Sequence, residues 1–238
     1  AFYVLYAEID GFDPTAHALH REALTPMDLW ILSRLNSLIR TVDEHMAAIR
    51  ITEAGRELQR FTDDLSNWYV RRCRERYWGK EMTADKEAAY MTLYTVLKSL
   101  CLISAPFIPL MTEEIYQNIV RSVDTTAPDS IHLCDWPAVD ESYIDKDLEA
   151  HMDEVLSVVV LGRSARNTAA IKNRQPIPAM HVQGEELPAM FTSIISEELN
   201  VKLVEYVSDA SSFISYRVKP QLKTLGPRYG KLLPKINA

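Results

Sequence analysis

The chain has 238 residues, with 26 Lys or Arg against 33 Asp or Glu, which gives a formal net charge of −7. The apolar fraction of 47% can build a hydrophobic core and excludes intrinsic disorder, while only 7 glycines exclude a collagen-like chain or a Gly/Ser linker. The length predicts one large domain or two modest ones, and the acidic total argues against a uniformly basic protein that coats nucleic acid.

The N-terminal stretch lacks an initiator Met and begins with the apolar residues 2–6, so we interpret residues 1–24 as a linker from a preceding part of a longer protein. The sequence contains no apolar run long enough to span a membrane and no secretory signal. Its cysteines, Cys73, Cys101 and Cys134, match neither a zinc-ligand spacing nor a closed disulfide framework. We therefore expect a cytoplasmic protein with reduced thiols and no metal site.

Residues 25–143 are predicted to form an antiparallel helical bundle. Thr25 can cap a helix that Pro26 opens, and apolar residues then recur at helical spacing from Leu32 to Ile49. Three further helices are predicted, over residues 52–79, 83–105 and 109–119. The rest, residues 124–143, reads as a loop with one short extended piece at 131–133.

Residues 144–238 are predicted to form a small α+β domain that follows the bundle. A helix from Leu148 towards Lys172 comes first. A strand, a helix and two strands follow, at 179–183, 187–196, 200–207 and 213–218. This order favours a mixed or antiparallel sheet. The predicted fold class is therefore mainly α, with a helical bundle and then a small α+β domain.

The charge is concentrated in short segments. Residues 121–154 contain 10 acidic and 2 basic residues, whereas 66–80 contain 5 basic and one acidic. Residues 161–175 and 214–238 contain 4 and 6 basic residues and no acidic ones. Local basic segments on an acidic chain indicate a polyanionic partner that binds at a specific place.

The segment from Leu65 to Trp78 interleaves aromatic residues with arginines, a combination that can stack on unpaired bases and neutralise phosphates. Trp68, Tyr69 and Trp78 are the candidate stacking residues. A structural interpretation stays open, because arginines complement the end of a helix dipole and Trp68 continues the apolar seam. The predicted RNA-binding residues are Trp68, Tyr69, Arg71, Arg72, Arg74, Arg76, Arg163, Arg166, Lys172, Arg174, Gln175, Lys219, Lys223, Arg228 and Lys231.

No motif for catalysis stands out in the sequence. The six histidines form no metal-ligand cluster, and neither a Gly-rich phosphate loop nor a G-x-S-x-G motif is present. The adjacent pairs Glu113-Glu114 and Glu185-Glu186 do not face each other on a helix. We therefore predict no catalytic residues and no cofactor in this chain.

Several segments resemble the class I aminoacyl-tRNA synthetases. Residues 27–35 and 65–72 are similar to the first two helices of the domain shared by the isoleucine, valine and leucine enzymes, and 105–109 with 113–116 are similar to the turn into a later helix. Residues 162–167 with 171–176, and 218–220 with 222–227, are similar to the isoleucyl-tRNA synthetases. The combination points to the subgroup shared by eukaryotes and some bacteria.

The resemblance covers nearly the whole chain and implies the C-terminal, anticodon-binding region of an isoleucyl-tRNA synthetase. The ATP- and Mg²⁺-dependent catalytic domain, with its HIGH-like and KMSKS-like signatures, and an editing domain would then lie elsewhere in the parent, and this fragment would be inactive alone. The implied partners are tRNA(Ile) and the rest of the synthetase, with a monomeric state and no membrane or DNA.

On that interpretation, the bundle and the α+β domain form a cleft that grips the anticodon stem and loop, lined by the basic residues of 71–76, 163–174 and 217–231. Two alternatives remain open. One is the anticodon-binding domain of a valyl or leucyl enzyme, and the other is a helical module that docks other proteins, for which the acidic stretch 121–154 is a candidate surface.

Overall fold

The computed structural model of this protein describes residues 2–209 and Ser211. In that part of the chain the α-helices are α1 (Phe2–Asp10), α2 (Pro26–Ala47), α3 (Ile51–Asp64), α4 (Arg71–Cys73), α5 (Ala84–Ser104), α6 (Pro109–Tyr116), α7 (Lys146–Thr168) and α8 (Ala189–Leu199). The strands are β1 (Ile177–Gln183) and β2 (Val201–Val207). The predicted fold class, a helical bundle with a small α+β part, is confirmed.

The chain divides within α7 into two units, the first ending at Asp153 and the second beginning at Glu154. The sequence places the domain boundary after residue 143, at the end of the preceding loop. Each unit has its own buried apolar residues, and they are described separately below.

Helix α2 begins as predicted, because Thr25 and Asp28 form a capping box. The Thr25 hydroxyl accepts a hydrogen bond from the Asp28 amide at 3.3 Å, and the Asp28 carboxylate accepts one from the Thr25 amide at 2.8 Å. The apolar seam is buried from Leu32 to Val42. The predicted continuation to Ile49 is wrong, since α2 ends at Ala47 and Ile49 is 83% exposed with a φ of 58°.

The second predicted helix is confirmed as one helical stretch with a changing hydrogen-bond pattern. Helix α3 continues as a π-helical segment over Leu65–Val70, then as α4, and ends in a 3-10 turn over Arg74–Tyr77. A π-helical turn accommodates an extra residue, which changes the direction of the side chains that follow it.

Helix α5 is the central apolar element of the first unit and begins after its cap, Thr83. Residues 1–24, interpreted above as a linker, include α1, which packs against α5. The Phe12 ring stacks on Tyr90 with the ring centroids 4.5 Å apart, and the buried Lys86 ammonium lies 2.6 Å from the Asp10 carboxylate.

The loop between α6 and α7 contains no extended piece at residues 131–133, and that prediction is wrong. Ile131–Leu133 form a 3-10 turn, because the Ser130 hydroxyl accepts a hydrogen bond from the His132 amide at 3.2 Å and caps it. A π-helical segment, Gln117–Arg121, extends α6 before this loop.

The second unit contains β1, α8 and β2, and the two strands pair in parallel with Ile177 opposite Val201. The antiparallel alternative is wrong for these strands, because α8 forms the crossover between them and returns the chain in the same direction. The predicted strand 213–218 lies outside the described residues, so a mixed sheet stays a prediction.

Within the part of the chain that the structure describes, no helix is both long and apolar enough to cross a membrane.

Candidate nucleic-acid interface

The residues from 71 to 80, here called the arginine segment, follow directly after the π-helical turn. The turn places two consecutive aromatic residues, Trp68 and Tyr69, among the buried residues of the first unit. The Tyr69 hydroxyl donates a hydrogen bond to Asp28 Oδ1 at 2.5 Å, and burial raises the pKa of Tyr69 well above its ordinary value. Tyr69 therefore acts as a permanent internal donor, and its ring has no exposed face for a base.

Arg76 also belongs to the interior. Its Nη1 donates to Asp28 Oδ1 at 2.8 Å, and its Nε donates to Asp85 Oδ2 at 3.0 Å. Burial alone would lower the pKa of Arg76, but the hydrogen bonds to Asp28 and Asp85 outweigh it and raise the pKa further. The guanidinium thus joins the first turns of α2 and α5, and its positive charge is paired with the carboxylates of Asp28 and Asp85.

Other residues of the arginine segment lie at the surface. Arg74 is exposed, and its guanidinium carbon lies 5.7 Å from the ring centroid of Trp78, which is itself 54% exposed. Arg71 is exposed as well, with its guanidinium 5.6 Å from the ring centroid of Trp68. Among the described residues, Arg74 forms no salt bridge, so its charge is available to a ligand.

Trp78 is the one of the three candidate stacking residues that presents a large surface to solvent. Trp68 is 9% exposed and Tyr69 is fully buried. Arg72 is half-buried and takes part in the interactions of the fold. The structure therefore brings Arg74 and Trp78 together, and Arg71 is the other exposed residue among those predicted in this segment.

In the second unit, Arg166 is buried and binds backbone carbonyls. Its guanidinium donates to the Leu199 carbonyl at 3.0 Å and to the Lys172 carbonyl at 2.6 Å, and it also donates to the Gln175 carbonyl. Arg163 is half-buried and pairs with Glu198 at 2.7 Å. Both arginines therefore connect the end of α7 to the elements beside it.

The loop after α7 presents the exposed residues Lys172, Arg174 and Gln175. Arg166 binds the Lys172 and Gln175 carbonyls of this loop, and the Asn200 side chain donates to its Arg174 carbonyl at 2.9 Å. With its backbone bound at these points, the loop exposes two cationic side chains and one amide. These are the groups that contact phosphates and base edges in RNA complexes.

Four predicted residues of the C-terminal tail lie outside the described residues: Lys219, Lys223, Arg228 and Lys231. The proposed cleft of three basic segments depends on them and stays a prediction.

Two residues that organise these surfaces were not identified from the sequence. Asp28 reads only as a helix-capping residue, although its four donors include Tyr69 and Arg76. Asn200 has a φ of 50°, in the left-handed region that asparagine tolerates, and caps α8. Its place at the first residue of a predicted strand, after a predicted helix, was the available signal.

The structure adds no sign of catalytic chemistry in the described residues. Residues 2–209 and 211 contain no group of three or more His, Cys, Asp or Glu side chains that could hold a metal ion. Cys73 and Cys101 are buried, and burial raises the pKa of each thiol to about 11, so neither is an activated nucleophile.

Comparison with known proteins identifies the family of this chain. Residues 28–181 match the family described as the anticodon-binding domain of tRNA ligase. The chain belongs to this family. The match includes the arginine segment, α7 and the loop after it, and so contains both exposed basic surfaces.

Individual curated relatives are isoleucine–tRNA ligases. The isoleucine–tRNA ligases of Clostridium acetobutylicum and Clostridium kluyveri are 52% and 49% identical to this anticodon-binding domain over 236 residues. That of Thermus thermophilus is 43% identical over 242 residues. Each alignment covers 99% of this chain and 23% of the relative, so the chain spans about a quarter of the length of these curated relatives. The predicted resemblance to the anticodon-binding region of an isoleucyl-tRNA synthetase is confirmed.

Proposed function

We propose that this chain binds the anticodon stem and loop of tRNA(Ile) and positions that tRNA for ATP-dependent attachment of isoleucine. The catalytic part of the ligase, with ATP and Mg²⁺, lies outside these 238 residues in this proposal. The chain acts as a monomer in the cytoplasm and performs no chemistry itself. The family membership and the similarity to isoleucine–tRNA ligases support the assignment.

The observation that carries the proposal is the exposed pair of Arg74 and Trp78. An exposed indole offers a face on which an unpaired base can stack, and the adjacent guanidinium can neutralise a phosphate next to that base. Anticodon bases are unpaired, so they suit such a site. Arg71 is exposed on the same segment, with its guanidinium over Trp68.

A second contact is proposed in the second unit, at Lys172, Arg174 and Gln175. These side chains are exposed on a loop whose backbone is bound by Arg166 and Asn200. We assign Arg163 and Arg166 to holding this loop and not to touching RNA, because both are bound within the unit.

Equilibrium binding of a tRNA(Ile) transcript to the 238-residue chain tests the proposal. Contact with about five phosphates predicts a slope of roughly −3 to −5 when the logarithm of the association constant is plotted against that of the salt concentration. A DNA stem-loop of the same sequence is the competitor that separates RNA recognition from general polyanion binding. Salt-independent binding, or equal affinity for a tRNA with a substituted anticodon, would contradict specific recognition.

A second candidate function, docking of a protein surface, is favoured by an apolar groove between α1 and the end of α6. The groove encloses about 400 Å³ and is lined by Val4, Leu5, Glu8, Glu114, Ile115, Asn118 and Ile119. Leu5 is 55% exposed, and large exposed apolar residues that share a groove are typical of interaction surfaces. We propose as its occupant a part of the same ligase outside this chain.

A photo-crosslinking amino acid in place of Leu5, within the full-length ligase, tests this docking. The expected product joins position 5 to a peptide outside the 238 residues. Ile51 is a matched control, because it is also apolar and 45% exposed but lies outside the groove. Equal labelling from both positions, or labelling only within this chain, would contradict the docking.

A further inference from the structure

We propose that Asp28 is a positioning residue for RNA binding, and that its buried carboxylate fixes the arginine segment so that Arg74 and Trp78 stay exposed together. This inference rests on the proposed function and adds a residue that touches no RNA.

The contacts of Asp28 exceed those of a helix cap. The side chain is fully buried, and its Oδ2 accepts from the amide and hydroxyl of Thr25 at 2.8 and 2.6 Å. The capping box itself uses only the Thr25 amide bond to this carboxylate and the Asp28 amide bond to the Thr25 hydroxyl. Its Oδ1 accepts from Tyr69 at 2.5 Å and from Arg76 at 2.8 Å, which lie 41 and 48 residues further along the chain. Half of the bonds to the carboxylate therefore come from the helical stretch that carries the arginines.

These bonds are part of a series that anchors the arginine segment at intervals. Tyr69 and Arg76 bind Asp28, the Tyr77 hydroxyl donates to the Ala89 carbonyl at 2.9 Å, and Lys86 Nζ donates to the Gly79 carbonyl at 2.6 Å. Three of the exposed residues between these anchors are Arg71, Arg74 and Trp78. Fixing the anchored positions determines where the intervening side chains point.

The π-helical turn makes the anchor at Tyr69 decisive. Its hydrogen bonds span one residue more than those of an α-helix, so the turn can revert to α-helical geometry by shifting the residues after it around the axis. The turn ends at Val70, one residue beyond the tyrosine that Asp28 holds. With Tyr69 bound, the following residues cannot shift, and Arg74 and Trp78 keep their exposed positions.

Asp28 also has a specific electrostatic relation to Arg76. Two carboxylates, those of Asp28 and Asp85, hold the single guanidinium of Arg76. Replacing Asp28 by asparagine keeps the size of the side chain and one acceptor oxygen but removes the charge. Arg76 then has Asp85, which is half exposed, as its remaining carboxylate partner, so its attachment to α2 weakens.

The test compares Asp28→Asn with Thr25→Ala in the full 238-residue chain. Thr25→Ala removes the hydroxyl bond to Asp28 and weakens the cap of α2 but leaves the bonds from Tyr69 and Arg76. We expect Asp28→Asn to accelerate amide exchange in residues 71–80 and to weaken binding of tRNA(Ile), each by about tenfold. Thr25→Ala should leave both quantities within about twofold of the unmodified chain.

A coupling measurement separates positioning from general stability. If Asp28 acts through Arg74, then Asp28→Asn should cost less than about twofold in affinity when Arg74 is already glutamine, although the two side chains do not touch. Additive losses, unchanged exchange in residues 71–80, or equal effects of Thr25→Ala would overturn the inference. Failure of the unmodified chain to bind RNA would overturn the proposed function, whereas RNA binding that Asp28→Asn leaves intact would overturn only the positioning role.

Discussion

Arg74 lies over the indole ring of Trp78, with its guanidinium carbon 5.7 Å from the ring centroid, on the surface of the first unit. Trp78 lies four positions after Arg74, and the intervening Arg76 and Tyr77 are held inside the bundle. Such a cation–π pair keeps a flat hydrophobic face and a positive charge side by side in the absence of ligand. That arrangement is the core of the proposed anticodon contact.

Substitution of Trp78 by alanine is expected to weaken binding of the anticodon stem-loop with little loss of stability. Stacking of a base on an aromatic side chain contributes about 1–3 kcal/mol. Trp78→Phe, which keeps an aromatic face, should retain part of the affinity. Fluorescence titration measures the effect, and Trp136→Ala is the control because Trp136 is also exposed, at 38%, but lies outside the arginine segment. Equal affinity of Trp78→Ala and Trp136→Ala would contradict stacking on Trp78.

Arg76→Gln is expected to lower the stability of the chain, whereas Arg74→Gln is expected to leave it nearly unchanged. Arg76→Gln leaves the buried Asp28 without its cationic partner, and breaking a buried ion pair costs on the order of 3 kcal/mol. Arg74→Gln, at an exposed position, should change stability by less than about 0.5 kcal/mol. Thermal unfolding of the two variants tests this contrast.

Arg74→Gln also tests the proposed contact between Arg74 and an RNA phosphate. Arg74→Gln should make the salt slope shallower by about 0.7–0.9, the change expected for one lost phosphate contact. A salt slope that Arg74→Gln leaves unchanged would show that Arg74 contacts no phosphate.

The arginines show which parts of the candidate site can be predicted from the sequence. The charge pattern identifies the two described basic segments, but Arg74, Arg76 and Arg166 look alike in it. Arg76 is internal because Asp28 and Asp85 meet it from two other helices, and Arg166 is internal because backbone carbonyls converge on it. Such long-range contacts leave no periodic signal.

The fold shows the same division between local and long-range information. Helix starts at Thr25 and Thr83 follow from capping chemistry, which involves neighbouring residues, and both were predictable. The parallel pairing of β1 with β2 depends on how α8 crosses between them, and the strand sequences alone do not determine it. The end of α2 at Ala47 was missed because Ile49 fits the apolar period but is exposed.

Glu149 is expected to contribute to acid unfolding of the first unit. Burial alone would raise the pKa of Glu149, but hydrogen bonds from Ser33, Ser37 and Lys146 outweigh it and hold the pKa below the ordinary 4.5. The unfolded chain then binds this proton more tightly, so the stabilisation is present above about pH 4.5 and is lost as the pH falls through the folded-state pKa.

Glu149→Gln should therefore flatten the decline of stability between about pH 5 and pH 3, which denaturant unfolding at several pH values measures. Glu185→Gln is the matched control, since Glu185 is exposed and should keep the unmodified decline. An equally steep decline in Glu149→Gln would contradict the role of this carboxylate.

Gly162→Ala is expected to destabilise the second unit by about 1–3 kcal/mol through overpacking. A Cβ atom at this position would lie 2.3 Å from Cδ1 of the buried Leu199. Amide exchange in α8 reports the loss. Gly79→Ala is the control, since nothing lies within 4 Å of a Cβ there.

The close approach of Gly162 to Leu199 also predicts that the stability losses from substituting the two residues are not additive. Leu199→Ala should cost less in the Gly162→Ala background than in the unmodified chain, because the alanine methyl fills part of the vacated space. Additive losses would show that the two positions do not compete for the same volume.

Crosslinking of tRNA(Ile) to the 238-residue chain, with identification of the crosslinked residues, tests the central claim most directly. The anticodon loop should crosslink to the arginine segment, with Trp78 among the sites, and to residues 172–175. Crosslinks confined to the acidic stretch 121–154, or the same pattern with a tRNA whose anticodon is replaced, would contradict anticodon binding by these surfaces.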